Sequence, residues 1–244
     1  MKNLQEYIEE SLLDDFDTLS KNVDDGFKQK IEQFLEDNFK GASKCKISKN
    51  PSDDGKYVVD CAGDIKVKNV SITSLTNDYF VWGKVSGNFY CNKCDKLTSL
   101  KGAPKEVGGN FDCSLCRSLT NLKGAPEKVS KSFYCIKCGP LKTLEGAPKE
   151  VRRSFCCPHC HSLTSLEGAP KEVGGDFICY NCNSLKTLEG APKEVGGNFQ
   201  CHSCASLTSL EGAPKKVGGD FECYNCDYLK SYDIDSNIKG EFVK

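Results

Sequence analysis

Apolar positions recur along most of the chain with a period of 22 residues. In one unit they are Phe111, Cys113, Cys116, Leu119 and Leu122. The phenylalanine returns at 89, 111, 133, 155, 177, 199 and 221, and the Cys-x-x-Cys pairs begin at 91, 113, 135, 157, 179, 201 and 223. A unit this short cannot bury its own apolar face, so neighbouring units have to stack into one continuous core. The pattern therefore predicts a solenoid.

The residues that stay apolar in every unit are predicted to face that core. In one coil they are Phe111, Cys113, Cys116, Leu119, Leu122, Ala125 and Val129. Phe111-x-Cys113 alternates in and out, which predicts a short strand, and stacked coils would place these strands side by side in a parallel sheet. Burial of each leucine or phenylalanine contributes roughly 1.5–3 kcal/mol before the entropy of ordering is subtracted.

Two turns are marked by glycine. The first is occupied by glycine in all six copies, at 102, 124, 146, 168, 190 and 212, which predicts a positive φ angle or a close backbone approach. The second is Gly108-Gly109, whose equivalents include Ser130-Lys131 and Arg152-Arg153. This second corner is predicted to accept side chains.

Residues 1–43 are predicted to form a helical region. Asp24 or Asp25 can cap a helix that Gly41 ends and that carries an apolar stripe of Phe27, Ile31, Phe34, Leu35 and Phe39. An earlier segment, Leu4 to Leu19, is also amphipathic. Either segment could dock on a partner, and the alternative is that the second helix packs on the end of the solenoid.

Residues 44–86 are predicted to form a β-rich cap and an irregular first coil, and residues 87–244 the solenoid with its C-terminal cap. Residues 56–61 and 64–67 could pair as a hairpin around Ala62-Gly63. The spacing Ile65-x-Val67-x-x-Val70-x-Ile72 repeats the apolar pattern of the core without its cysteines.

These motifs resemble the leucine-rich repeats. The spacing Phe111-x-Cys113-x-x-Cys116-x-x-Leu119-x-x-Leu122 is similar to the core of that repeat in its cysteine-containing class, and Leu-Thr-Ser-Leu with a central proline is similar to the short bacterial and phage repeats. The resemblance covers roughly residues 64–232. It implies a mainly β solenoid, built as a leucine-rich-repeat-like stack of parallel short strands. A Val107-Gly108-Gly109 corner stands where the family has its first leucine.

Composition narrows the possible partners. The chain has 33 Lys and Arg against 34 Asp and Glu, and its net charge is −1. Nucleic-acid-binding proteins usually carry a basic face, so no nucleic-acid partner is expected. No apolar run reaches the ~20 residues of a membrane helix, and the acidic N-terminus lacks the pattern of a signal peptide. We therefore expect no membrane partner and a cytoplasmic location, in a bacterium or a phage-infected host cell.

Seventeen cysteines allow three interpretations. The pairs could form two ladders of buried thiols, zinc sites or disulfides. Successive pairs are 18 residues apart, as in a zinc ribbon, but the repeat period alone imposes that spacing. No cofactor is therefore expected. If one copy did hold zinc, it would be the one with Cys157, His159, Cys160 and His161.

The two positions that flank the first cysteine vary between copies. They read Tyr90, Asp112, Tyr134, Cys156, Ile178, Gln200 and Glu222, and then Asn92, Ser114, Ile136, Pro158, Tyr180, His202 and Tyr224. Because they alternate with inward residues, they should stand on the outer face of the sheet, which solenoids commonly use for binding. The alternative is that aromatic residues simply suit a strand surface. The predicted partner-binding residues are Tyr90, Asp112, Tyr134, Ile136, Ile178, Tyr180, His202 and Tyr224.

The sequence thus predicts a protein-interaction module that binds a macromolecular partner through the strand face of the solenoid. Two other functions stay open: a zinc-binding or thiol-redox protein that uses the stacked cysteine pairs, and a structural component, for example of a virion. An enzyme is not expected, because the chain has no phosphate loop, no nucleophile elbow and no His-Glu-x-x-His motif.

Overall fold

A computed structural model describes residue 21 and residues 23–50 and 55–244 of the chain. The described chain is a β-solenoid that follows one N-terminal helix, α1, which covers residues 23–38. Each full coil contributes one strand to each of two ten-stranded sheets. The mainly β solenoid predicted from the repeat is confirmed.

Sheet A contains, in spatial order, β1 (Phe39–Lys40), β4 (Ile65–Val67), β6 (Phe89–Tyr90), β8 (Phe111–Asp112), β10 (Phe133–Tyr134), β12 (Phe155–Cys156), β14 (Phe177–Ile178), β16 (Phe199–Gln200), β18 (Phe221–Glu222) and β20 (Phe242–Val243). Sheet B contains, in the same direction, β2 (Cys45–Lys49), β3 (Tyr57–Cys61), β5 (Phe80–Val85), β7 (Glu106–Val107), β9 (Lys128–Val129), β11 (Glu150–Val151), β13 (Glu172–Val173), β15 (Glu194–Val195), β17 (Lys216–Val217) and β19 (Asn237–Ile238). Pairing is parallel throughout, except for β1 with β4 and β2 with β3.

In the core, each residue stacks on the residue of the same type in the neighbouring coils. Phe111 pairs in register with Phe89 and Phe133, and the phenylalanine rings from Phe89 to Phe242 follow one another at centroid distances of 5.0 to 5.5 Å. The predicted core is confirmed at Phe111, Cys113, Cys116, Leu119, Leu122 and Val129, all fully buried. Offset stacking of aromatic rings adds to the free energy of burial.

One predicted core position is confirmed only in part. Ala125 packs against the core but is only half-buried, and the next residue, Pro126, is buried. The cause is the tight turn at Gly124, in which the amide of Ala125 donates to the carbonyl oxygen of Leu122 at 2.9 Å. At this turn the ring of Pro126 is buried, while the methyl group of Ala125 packs at the edge of the core and stays partly exposed.

The two glycine corners require glycine for different reasons. The six glycines of the first turn all have φ between +84° and +89°, as predicted. The prediction for the second corner is wrong wherever it contains glycine. A Cβ atom at Gly174 would collide with the carbonyl oxygen of Arg152 in the preceding coil, and one at Gly196 would collide with that of Gly174. Close approach of successive coils therefore requires glycine there, although other coils carry Ser130-Lys131 and Arg152-Arg153.

Helix α1 closes the N-terminal end of the solenoid. Ile31 and Leu35 are buried in the common core, and the ring of Phe34 lies 5.8 Å from that of Phe80. The prediction that this helix packs on the solenoid end is confirmed, while the segment from Leu4 to Leu19 lies outside the described residues. Two details are wrong, because the helix begins before Asp24 and ends before Phe39.

Asp24 and Phe39 have other roles. Asp24 accepts a hydrogen bond from the hydroxyl of Tyr57 at 2.7 Å and pairs with Lys49. Phe39 lies in β1 and is buried against Trp82 and Phe89. Both residues therefore join the N-terminal region to the first coils.

The predicted hairpin around Ala62-Gly63 is also wrong. Strand β3 pairs with β2 and β5 in sheet B, and β4 pairs with β1 and β6 in sheet A. Residues 57–67 instead run from sheet B to sheet A, and Ile65 is fully buried in register with Phe89. Of the core-like residues that follow, Val67 and Ile72 are buried but Val70 is exposed.

Candidate binding face

The outer surface of sheet A, called face A below, is formed by the two variable positions of each coil. In the coil of β8, Phe111 and Cys113 are fully buried while Asp112 between them is half-exposed. Six of the seven repeat coils show this alternation, and in the coil of β12 the middle residue, Cys156, is buried as well. The outward orientation predicted for these positions follows from the strand geometry, since successive side chains point to opposite sides.

The centre of face A is apolar over three successive coils. This region, called the central patch, consists of Tyr134, Ile136, Cys156, Pro158, Ile178 and Tyr180. Tyr134, Cys156 and Ile178 are in direct register across β10, β12 and β14. Cys156 and Pro158 of the middle coil are buried, whereas the four larger side chains of the neighbouring coils are partly exposed.

An aromatic ladder leads away from the central patch. The rings of Tyr180 and His202 stack at 4.7 Å, and those of His202 and Tyr224 stack at 4.4 Å. His159 meets the ring of Tyr180 edge-on at 5.3 Å. Burial lowers the pKa of His202 and so favours its neutral form.

Polar side chains border the central patch on both sides. Toward the N-terminus, Asp112 accepts a hydrogen bond from the amide of Ser114 at 2.9 Å, and the hydroxyl of Ser114 accepts one from the amide of Ile136 at 3.2 Å. Toward the C-terminus, the side-chain amide of Gln200 donates a hydrogen bond to the carboxylate of Glu222 at 2.8 Å. The face therefore has an apolar centre and a polar rim.

The predicted site residues fall into three groups. Tyr134, Ile136, Ile178 and Tyr180 lie together in the central patch, and His202 and Tyr224 continue from it in the ladder. Tyr90 and Asp112 lie in the two coils on the N-terminal side of the patch. Cys156 and Pro158 were missed as site residues, although they stand at the same two variable positions.

The four residues of the possible zinc site do not converge. Cys157 and Cys160 are fully buried in the core, whereas His159 is half-exposed and His161 is exposed on the outside. Among the described residues, no group of three or more His, Cys, Asp or Glu side chains is arranged to hold a metal ion. The four residues follow β12 in a turn, in which His159 has φ +58° and lies on the outside while Cys157 and Cys160 face the core.

In six of the seven pairs, the second cysteine donates a hydrogen bond to the backbone of the coil before it. The thiol of Cys138 donates to the carbonyl oxygen of Cys113 at 3.4 Å, and that of Cys160 donates to the carbonyl oxygen of Cys135 at 3.2 Å. The same bond recurs at Cys116, Cys182, Cys204 and Cys226. The repeat cysteines line up as two ladders of buried free thiols.

Two cysteines outside the repeat are different. Cys45 and Cys61 stand opposite each other on β2 and β3 and form a disulfide. The other fifteen are free and buried. Disulfides are therefore confined to the N-terminal cap in the described chain.

A ladder of polar side chains, which the sequence pattern did not lead us to predict, joins successive coils at the corner beside face A. The side chain of Asn88 accepts a hydrogen bond from the amide of Asn110 at 2.7 Å, and that of Asn110 accepts one from the amide of Ser132 at 3.0 Å. The ladder begins at Asp64 and continues through Ser154, Asp176, Asn198 and Asp220. The recurrence of Asn, Asp or Ser immediately before each phenylalanine was the available signal.

The outer surface of sheet B is charged instead of apolar. Lys128 pairs with Glu150 at 3.0 Å, and Lys216 pairs with Glu194 at 2.6 Å, both across neighbouring coils. Exposed ion pairs of this kind contribute little to stability. This surface resembles an ordinary solvated face and offers a control for face A.

Comparison of the chain with protein-family models, curated proteins and solved structures finds no match. Within the described residues, no helix combines the length and the apolar character needed to span a bilayer.

Proposed function

We propose that the protein is an interaction module whose face A binds another protein. The observation that carries the proposal is the central patch, where aromatic and aliphatic side chains stand within a polar rim on an otherwise charged solenoid. Protein interfaces concentrate their binding energy in such patches, with tyrosine prominent among the residues that contribute most.

The scaffold favours binding because its side chains are held in place before contact. Strands β6 to β18 fix the spacing of successive coils, and stacking holds the rings of Tyr180, His202 and Tyr224. A surface that is ordered in advance loses less conformational entropy on association. This rigidity supports a binding role for face A.

We further propose that the coils are a divergent form of leucine-rich repeat, with cysteine and phenylalanine at positions that leucine usually occupies. The spacing of Phe111, Cys113, Cys116 and Leu119 and the full burial of all four support this relation. A role in binding, without catalysis, is consistent with it. The zinc and thiol-redox alternatives have less support, because the repeat thiols are buried and six of them donate to carbonyl oxygens of the preceding coil.

Site-specific photo-cross-linking tests the proposal. A benzophenone amino acid is placed at Tyr134 or Tyr180 on face A, and in matched control variants at Glu106 or Glu172 on the outer surface of sheet B. The full chain is expressed in the cells that naturally make it, irradiated, and analysed by mass spectrometry. We expect protein adducts from both positions on face A and few from the controls.

A substitution in the central patch tests whether its apolar character is needed for binding. Introducing Ile136→Asp into the Tyr180 cross-linking variant should reduce the adduct yield at least tenfold, because a carboxylate would be desolvated in the contact. Equal adduct yields from the two sheets, or no adducts from face A, would contradict the proposed function.

A further inference from the structure

We infer that the partner of face A is a second copy of this chain, bound face to face about a twofold axis that runs along β12. The inference rests on the proposed function of face A and adds the identity of the partner. A symmetric pair needs a surface that is complementary to itself, and the order of residues on face A has that property.

The central patch is the first element of this complementarity. An axis along β12 places each coil opposite the coil at the same distance on the other side of Cys156. Tyr134 then faces Ile178 of the second copy, and Ile136 faces its Tyr180. Each large ring therefore meets an isoleucine in all four contacts around the axis, and no two tyrosines compete for the same space.

The polar rim is the second element. The same axis places Asp112 opposite Gln200 of the second copy and Tyr90 opposite its Glu222. Each carboxylate thus meets a hydrogen-bond donor, which matters because burial of a charge without a partner is costly. Farther out, Asn92 faces Tyr224.

Lysines beside face A also avoid one another under this axis. Lys93 comes opposite Asn225, and Lys137 comes opposite Asn181. All four occupy the same position in their coils, with φ between +54° and +62°. No lysine at this position therefore meets another lysine.

The size of the surface predicts a weak dimer. Strands lie about 4.8 Å apart and rise about 3.3 Å per residue, so seven coils with five residues across bury on the order of 1,100 Å² in total. Specific interfaces usually bury about 1,200–2,000 Å². We expect a dimer with a dissociation constant in the micromolar range.

Sedimentation equilibrium of the full chain and a charge-pair rescue test the inference. Ile136→Lys and Tyr180→Asp should each weaken the dimer at least tenfold, because each places a charge in the apolar contact. Mixing the two variants should restore the dimer, since the ammonium of one faces the carboxylate of the other. Glu172→Lys, on the outer surface of sheet B, is the matched control and should dimerise like the wild type.

The outcomes separate the two proposals. A wild-type chain that stays monomeric to about 100 µM, while face A still gives photo-adducts with another protein, overturns the second copy and leaves the proposed function standing. A monomer without adducts from face A overturns both. A wild-type dimer that the mixed variants do not restore overturns the axis along β12, because parallel solenoids would place Ile136 opposite Tyr134 instead.

Discussion

The thiol of Cys182 donates a 3.4 Å hydrogen bond to the carbonyl oxygen of Cys157, one coil earlier in the chain. Both residues are fully buried. Cysteine suits this position because it packs as a small apolar side chain and still offers a weak donor. The recurrence of the same bond in six coils gives a structural reason for a cysteine at this point of the repeat.

The first prediction compares the stabilities of the serine and alanine variants of Cys182. Serine at Cys182 keeps a donor for the carbonyl oxygen of Cys157, whereas alanine leaves that buried oxygen without one, at a cost of about 1–3 kcal/mol. Cys182→Ser should therefore be more stable than Cys182→Ala by about 1 kcal/mol, measured by urea unfolding.

Cys179, the first cysteine of the same coil, is the matched control. It is fully buried among apolar side chains, where a hydroxyl would be desolvated at a cost of about 1–3 kcal/mol. The order should reverse there, with Cys179→Ala more stable than Cys179→Ser. The same order at both positions would show that the thiol bond to Cys157 has no effect on stability.

Stability should fall at alkaline pH. Burial raises the pKa of the Cys204 and Cys223 thiols from 9.0 to about 12. The folded chain therefore keeps protons that the unfolded chain releases above pH 9, and each such thiol lowers the free energy of unfolding by about 1.4 kcal/mol per pH unit between pH 9 and 12. Below pH 9, where both states keep the proton, the folded chain loses no stability from these thiols.

Unfolding curves between pH 7 and 11 measure this effect. Cys204→Ala removes one of these groups and should make the decline with pH shallower by the slope of one proton. An identical slope in the variant and the wild type would mean that the Cys204 thiol titrates in the folded chain as it does in the unfolded one.

One position in each coil has a left-handed backbone without glycine. Lys137 has φ +57° and an exposed side chain, and Asn181 stands at the equivalent position with φ +55°. Left-handed backbone costs most residues about 1–2 kcal/mol, and asparagine tolerates it better. Lys137→Gly should therefore raise the free energy of unfolding by about 0.5–1 kcal/mol.

Asn181→Gly provides the comparison and should change stability by less than Lys137→Gly, because asparagine already suits this conformation. Thermal and urea unfolding of both variants check the prediction. If Lys137→Gly lowers stability, the lysine side chain makes contacts that outweigh the relief of its backbone.

The corner ladder should tolerate aspartate and not leucine. Asn110 accepts the amide hydrogen of Ser132 at 3.0 Å, and Asn110→Leu removes that acceptor at a cost of about 1–3 kcal/mol. Asn110→Asp keeps an acceptor, as Asp176 does in the equivalent bond to Asn198, and should stay near the wild type. The hydrogen-exchange rate of the Ser132 amide reports on this single hydrogen bond. If that amide is equally protected in Asn110→Leu, the ladder does not have the proposed role.

The register of the solenoid was predictable because the 22-residue period places identical residue types on neighbouring strands. Phe111 can only lie between Phe89 and Phe133 when every unit has the same length. The outward direction of Tyr134 and Tyr180 followed from the same alternation. Both inferences use only a pattern that is local in each coil and repeated without a shift.

Features that depend on distant pairing were not predictable. Ala62-Gly63 has turn chemistry that suits a hairpin and a solenoid corner equally, and the pairing of β4 with β6 decides between them. The disulfide between Cys45 and Cys61 likewise depends on the pairing of β2 with β3. The stacking of Tyr180 on His202 required side-chain positions, which a pattern of residue types does not contain.

The most direct measurement of the central claim, that face A is the binding surface, is hydroxyl-radical footprinting of tyrosines. Tyr134 and Tyr180 lie in the central patch, and Tyr228, which is 67% exposed outside it, is an internal control with the same chemistry. Oxidation is compared between the dilute purified chain and the chain inside the cells that make it. We predict that oxidation of Tyr134 and Tyr180 falls several-fold relative to Tyr228 in the cell, whereas an unchanged ratio would contradict the binding role of face A.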